Sequence, residues 1–354
     1  MIEHFGWWIV VPVCATLLLA WLFWTLPEWT RPGIYFAVTT PPEFRQTPGG
    51  QQILRRYQVQ VTVHLAVAVV LIVAGMAPQW WPALIVGIVW LAFGPLVALL
   101  MARERVRPHA VKPSMVREAV LAPRAAHLPG GWLLQLGPFA VLAATAIYLQ
   151  LHWNEIPDRF PVHWGIDGQP NGWSVRTPAG VYGPLLFGAS IIVGLAVLTY
   201  GTLRHTRVQR ARGSGSLHVD FPHQVAYFLV AVEFFLAGCM SAAALLPLTG
   251  NPGIVLVLVL VILLLAGIFP LAHWMNKSRA PFADAHALNL VGDGTLDEHW
   301  KMGVLYFNPA DPALFVEKRF GIGYTLNFGH ASSWLIIALV LVLPLALLLT
   351  LHHS

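Results

Sequence analysis

Long apolar runs, broken by short polar stretches, set the pattern of this chain. Eight of them have few or no charges: 7–26, 60–76, 82–101, 132–151, 181–200, 225–248, 253–274 and 334–351. Each is close to the roughly twenty helical residues needed to cross a bilayer core. Aromatic residues mark many of the ends, among them Trp24, Trp80, Trp132, Trp274 and Trp334, as expected at a water–lipid boundary. Pro12, Pro95, Pro138, Pro184, Pro247 and Pro344 fall inside runs, where bundle packing tolerates them. The pattern predicts an all-α fold: a polytopic membrane helix bundle of about eight transmembrane helices, with a short ordered outward loop and small cytoplasmic surface segments.

The polar stretches divide this bundle. The expected organisation is an N-terminal three-helix membrane region over 1–131 with a cytoplasmic loop at 27–59, and a helix–loop–helix unit over 132–200. Further membrane helices over 201–274, a surface module over 275–333 and a final membrane helix over 334–354 complete it. Within the first loop, GIYFAVTT reads as a short β-like run, followed by a Pro-Pro break, a Gly-Gly turn and a helical run into the second span. The stretch 297–329 alternates aromatics with Asn308-Pro309 and Asp311-Pro312 turns, the signature of a small folded module at the membrane surface. The stretch 153–177 carries two proline-restricted steps, Ile156-Pro157 and Phe160-Pro161, which force extended backbone before each proline. With turn signals at Asp167-Gly168 and Asn171-Gly172, it reads as a compact cap rather than a slack linker. No internal repeat is evident.

Charge gives this arrangement a direction. Only 10% of the chain is charged against 57% hydrophobic, and the formal net charge is +5. Of the 21 Lys and Arg, all but Arg159 and Arg176 lie in the loops 27–59, 102–131, 201–224 and 275–333. By the positive-inside rule those loops are cytoplasmic, the cap over 153–177 faces out, and both termini lie outside. The positive excess is thus topological, and no direct nucleic-acid contact is expected. Arg204, Arg207 and Arg210 sit at three-residue steps and would reach anionic headgroups on a continuing helix. Cys14 and Cys239 fall in predicted spans, so neither a disulfide framework nor a cysteine metal cluster is implied. MIEHFGWW lacks a basic n-region, so no cleavable signal is read there, and a lipobox-like reading before Cys14 is weak for the same reason.

Chemistry is sparse. In the cap, Glu155, Asp158, His163 and Asp167 are the residue types that hold a hard or borderline cation, but their spacing matches no established ligand pattern and no HExxH occurs. Metal binding there is left open beside a structural role, in which the two aspartates satisfy backbone amides. Inside the membrane, Glu233 is the sharpest signal, because a carboxylate at that depth must find a partner or a function. His64, Gln135 and Tyr148 are its candidate partners. Gly321-Ile322-Gly323 has no strand-to-helix context for nucleotide binding and reads as a turn. No cofactor pattern emerges, and none is expected.

Two stretches resemble known families. Ile156, Pro157, Asp158, Pro161, His163, Trp164, Gly168, Pro170, Asn171 and Gly172, between two apolar runs, resemble the signature of the bacterial SdpI-type immunity family, a domain of unknown function (number 1648). Ile156 and Asn171 stand where that pattern has Leu and Asp. Trp300, Lys301, Gly303, Tyr306, Asn308, Pro309, Asp311, Pro312, Phe315, Val316, Lys318, Arg319, Gly321, Gly323 and Asn327 resemble a second uncharacterised domain (the 5808 family) found near the end of some such proteins. The first resemblance implies a bacterial cytoplasmic-membrane protein with a role in immunity to a secreted toxic peptide. It does not carry that role over, because function lives in sites rather than folds.

The leading expectation is a non-enzymatic immunity, antimicrobial-peptide-resistance or envelope-stress protein. Its cap, through Trp153, Asp158, Pro161, His163, Trp164, Asp167, Gly168, Pro170, Gly172 and Trp173, would receive an amphipathic peptide. Its cytoplasmic segments would signal to a transcriptional regulator or other protein. The alternatives are a proton-coupled transporter or channel using Glu233 with His64, and a membrane-embedded metal-dependent hydrolase built on the cap.

Overall fold

The computed structural model describes residue 16 and residues 19–30, 33–75, 80–113, 128–164, 170–205, 220–249, 291–321 and 323–353. Six long helices are described: α1 (Pro48–Ala74), α2 (Trp81–Val106), α3 (Gly131–Leu151), α4 (Pro178–His205), α5 (Asp220–Thr249) and α6 (Ala331–His353). The first five are long and apolar enough to cross a membrane, and α6 contributes a shorter apolar stretch over Ala331–Leu347. The expected span 7–26 is described only in part, and 253–274 lies outside the described residues. Large apolar side chains point away from the protein, with Leu133 86% and Leu335 71% exposed. That outward apolar surface suits lipid, not water.

The helix starts follow local chemistry. Thr47 caps α1 by accepting from the Gly50 N–H at 3.1 Å, with Pro48 at the first helical position. Thr177 does the same for α4, accepting from Gly180 N–H at 3.1 Å, ahead of Pro178. Both fit the preference for threonine at the cap and proline just inside. α1 begins twelve residues before the apolar run at Gln60, in agreement with a helical run leading into the second span. Pro95, Pro138, Pro184, Pro247 and Pro344 are all accommodated inside helices.

Two helical groups result. α1 and α2 pair antiparallel, with Gly87 against Ile72 and Gly94 against His64; a Cβ at Gly87 would stand 2.8 Å from the Ile72 backbone. Small residues allow such close approach in lipid, where no hydrophobic drive pushes helices together. α3, α4 and α5 form the second group. Thr145 donates to Ser241 at 2.9 Å between α3 and α5, and Gly188 of α4 faces Met240 of α5. α6 lies along α4, with Gly194 against Val340.

At one end of the second group a β-hairpin, β3 (Arg159–Trp164) and β4 (Pro170–Val175), folds back antiparallel, with irregular register around His163. The extended steps before Pro157 and Pro161 are present, and the second lies inside a strand. At the other end sits a module of three two-stranded ladders: β1 (Ile34–Tyr35) with β2 (Val38–Thr39), β5 (Trp300–Lys301) with β6 (Leu305–Tyr306), and β7 (Phe315–Glu317) with β8 (Tyr324–Leu326). The two polar regions read separately from the sequence, 27–59 and 297–329, thus build one body. It also takes in the segment after α2, where Val111 N–H donates to Thr39 O at 2.9 Å.

Candidate functional site

Three groups of polar or aromatic side chains merit description, and the hairpin comes first. Ile156 and Phe160 are each 2% exposed and enter a core with Leu149, Val181, Leu185 and Ala244 of α3, α4 and α5. Trp153 stacks on Tyr182 with ring centroids 5.9 Å apart. The other face looks out: Trp173 is 47% and Val175 52% exposed. Across from them in register lie Pro161 and Arg159, and the Arg159 guanidinium stands 4.8 Å above the Trp173 ring. Asp158, which the sequence alone would also allow to bind turn amides, instead ion-pairs with Arg176, while its backbone carbonyl accepts from Arg176 N–H at 2.9 Å. Glu155 is exposed. The backbone of His163 pairs with Gly172, and that of Trp164 with Pro170; Asp167 and Gly168 lie outside the described residues. Among the described residues no three His, Cys, Asp or Glu side chains converge as a metal-ligand set.

The second group is intramembrane. Glu233 of α5 is fully buried. Gln135 of α3 donates its amide N–H to the carboxylate at 2.6 Å, and Thr199 of α4 donates its hydroxyl at 3.4 Å. One acid is therefore held by one polar side chain from each neighbouring helix, which meets the cost of placing it in the bilayer. The oxygen of the Gln135 amide is buried and has no hydrogen-bond partner among the described residues. Of the candidate partners, only Gln135 reaches Glu233. His64 packs on Trp90 of α2, centroids 5.6 Å apart, and Tyr148 lies against His152. Thr199 escaped sequence reasoning, because threonine in a span ordinarily returns its hydroxyl to its own helix.

The third group is the module, organised around Arg319, whose side chain is wholly buried. Its guanidinium donates to both oxygens of Asp293 at 3.0 Å, to Asp297, to the Thr295 hydroxyl at 3.0 Å and to the Ala37 carbonyl at 3.3 Å. It also stands 5.3 Å from the Trp300 ring centroid. Burial would raise the Asp293 carboxyl, but the charge and hydrogen bonds of Arg319, with those of Thr295, override it and hold the group at about 2. Burial likewise works against the Arg319 cation, and Asp293 and Asp297 outweigh it, so its pKa rises. Both groups stay charged at every ordinary pH.

The Ala37 carbonyl takes a second, shorter bond from Arg103 Nη1 of α2 at 2.6 Å. It belongs to a two-residue turn in which Phe36 (φ 45°) and Ala37 (φ 61°) both occupy the left-handed region. That geometry normally calls for Asn-Gly. Here it is maintained by burial: Phe36 is fully buried against Tyr57, centroids 5.0 Å apart. Asp297 closes the knot by accepting from the Thr39 hydroxyl at 2.7 Å. Gly303 (φ +77°) lies so close that a Cβ would meet that of Ala37 at 2.8 Å.

Other predicted module residues are scaffold. Asn327, fully buried, donates to the carbonyls of Asn308, Asp311 and Ala313 and accepts from Asn308 and Gly329 N–H. Tyr306 donates to Asp311 at 2.9 Å, and Trp300 to Thr295 at 2.8 Å. Lys301 is exposed and bonds the Glu298 carbonyl. Gly321 (φ +79°) and Gly323 (φ +105°) form the turn between β7 and β8, in agreement with the turn reading.

Comparison with known families places two segments. Residues 140–188, which run from the second half of α3 through the hairpin into α4, match the model of a domain of unknown function, DUF1648. Residues 309–334, which hold β7, β8 and Asn327, match that of a family of unknown function, DUF5808. No curated protein and no solved structure matches the chain. It is thus a multi-pass helical membrane protein whose hairpin unit is similar to DUF1648 and whose module contains a segment similar to DUF5808.

Proposed function

We propose that this chain is a non-enzymatic bacterial membrane protein whose hairpin meets an amphipathic peptide outside the cell. The observation that carries this reading is the two-faced hairpin. Its inner face is anchored by Ile156 and Phe160, while Trp173 and Val175 remain outward beside Arg159. A cap that only sealed the bundle would not need tryptophan and valine on its open side; exposed aromatic and arginine anchors are typical of binding surfaces. The distribution of basic residues supports the outward direction. Among the described residues, Arg103, Arg204, Lys301 and Lys318 lie at the module end, and Arg159 and Arg176 are the cations of the hairpin. A link inward is available through α4, which packs under Phe160 at Val181 and against Phe315 of the module at Gly201. The module would then offer its surface to a regulator or other protein in the cytoplasm.

The test measures binding of synthetic cationic amphipathic peptides to nanodisc-embedded protein, and tolerance of cells expressing it. Trp173→Ala is expected to weaken binding about thirtyfold, the effect of losing a central aromatic anchor, and to lower tolerance in parallel. Equal binding and tolerance in a Trp173→Ala, Arg159→Ala variant that inserts normally would remove the reading.

Glu233 supports a second reading, a proton-coupled path, because its three-helix cluster is the one intramembrane carboxylate site among the described residues. In proteoliposomes, Glu233→Gln would abolish proton-driven uptake on this reading. Absence of any uptake by the wild-type protein across a solute panel speaks against it.

A further inference from the structure

A cavity of about 650 Å³ lies where the module meets the helix ends, within the size range of small-ligand sites. Leu26 comes from the N-terminal side, Thr202 from the end of α4, Phe228 from the first turns of α5 and Ile337 from α6; Phe315 and Lys318 come from the module. The walls are mostly apolar, and Lys318 is the cation among them. Its side chain is exposed and lines the cavity, and desolvation by the neighbouring protein lowers its pKa. Among the described residues it has no acidic partner, in contrast to Arg319 next to it, which has two. The backbone beyond it is also open: a Cβ on Gly323 would meet nothing within 4 Å.

Position and charge together select an occupant. The cavity sits at the level where α4 ends and α5 and α6 begin, the height at which spanning helices pass from hydrocarbon to headgroups. A ligand there must have a long apolar part, to cover walls such as Phe228 and Ile337, and one negative charge at the module side. We propose that the cavity seats a single anionic phospholipid from the leaflet at the module end, with its phosphate on Lys318 and an acyl chain along α4, α5 and α6. A lipid held this way would tie the module to the leaflet and make its seating sensitive to headgroup charge. The inference stands independently of what the hairpin binds.

The experiment uses the full chain, delipidated in detergent, and counts bound lipids by native mass spectrometry during titration with phosphatidylglycerol or phosphatidylcholine. One tight site is expected for phosphatidylglycerol, with phosphatidylcholine about fivefold weaker, the contribution of one lysine facing an anionic headgroup. Lys318→Gln should reduce phosphatidylglycerol to the phosphatidylcholine level, whereas Lys318→Arg and the control Lys301→Gln, a lysine outside the cavity, should leave it unchanged. Thr202→Phe, which narrows the cavity without touching charge, should weaken both lipids, and size-exclusion profiles check that each variant is folded. Equal binding of the two lipids, or an unchanged Lys318→Gln, overturns the proposal. So does competition by glycerol phosphate alone, which would make the site a phosphate site, or by oleate at the same strength, which would make it a fatty-acid site.

Discussion

Arg319→Met is expected to destabilise the module by about 3–5 kcal/mol, the range for removing one partner of a buried ion pair. The loss is large because Asp293, only 5% exposed, would lose the guanidinium that bonds both of its oxygens. Among the described residues, Asp297 would keep hydrogen bonds from Thr39 only, and the Ala37 carbonyl that from Arg103 only. A lysine should not rescue, since a point charge cannot reproduce a fork that reaches Asp293, Asp297, the Thr295 hydroxyl and the Ala37 carbonyl. Adding Asp293→Asn to the methionine variant should recover part of the stability by removing a buried charge that has lost its Arg319 partner. Thermal unfolding in detergent and amide hydrogen exchange over 33–40 and 293–320 would report this. Melting and exchange like those of wild type in Arg319→Met would show that the knot does not hold the module.

Phe160→Ala is expected to cost about 3–5 kcal/mol locally, as for other buried phenylalanines. The ring is 2% exposed beneath the hairpin and shares its core with three helices, so the cavity left behind could not collapse without moving one of them. Exchange should therefore quicken across 159–164 and 170–175 while the α1–α2 pair is unaffected, because that pair has a separate core around Tyr57 and Val61. Trp173→Ala, on the outer face of the same hairpin, should change stability by no more than about 0.5 kcal/mol. Similar losses in both variants would mean that the two faces are not distinct, and the outer one could not then be reserved for a ligand.

The helices were legible because hydropathy is a local property, and the extended backbone of the hairpin because proline restricts the residue before it. What escaped was pairing at long range. Thr39 and Asp297 are 258 positions apart, and Ala37 and Arg319 are 282 apart, distances over which neither periodicity nor turn chemistry carries information. Arg103 read only as one more basic residue near the end of a span, though it grips a carbonyl of another segment. Phe36-Ala37 carries no turn signature at all, since its left-handed backbone is imposed by burial and two guanidinium groups. At Glu233 the depth of the acid was plain, but the choice among Gln135, His64 and Tyr148 depended on tertiary packing: His64 belongs to the other helical group, and Tyr148, though on α3 with Gln135, packs against His152 instead.

The grip on Ala37 has a consequence for how the molecule is made. Ribosomes deliver residues 33–39 and Arg103 long before Asp293, Trp300 and Arg319, so the first helix pair must enter the bilayer with its polar end still unmatched. Closure waits for nearly the whole polypeptide, and the last helix starts only four positions beyond Asn327. A nascent chain halted at residue 290 would therefore hold the Phe36–Ala37 turn through Arg103 alone, with Arg319 and Asp297 still to come.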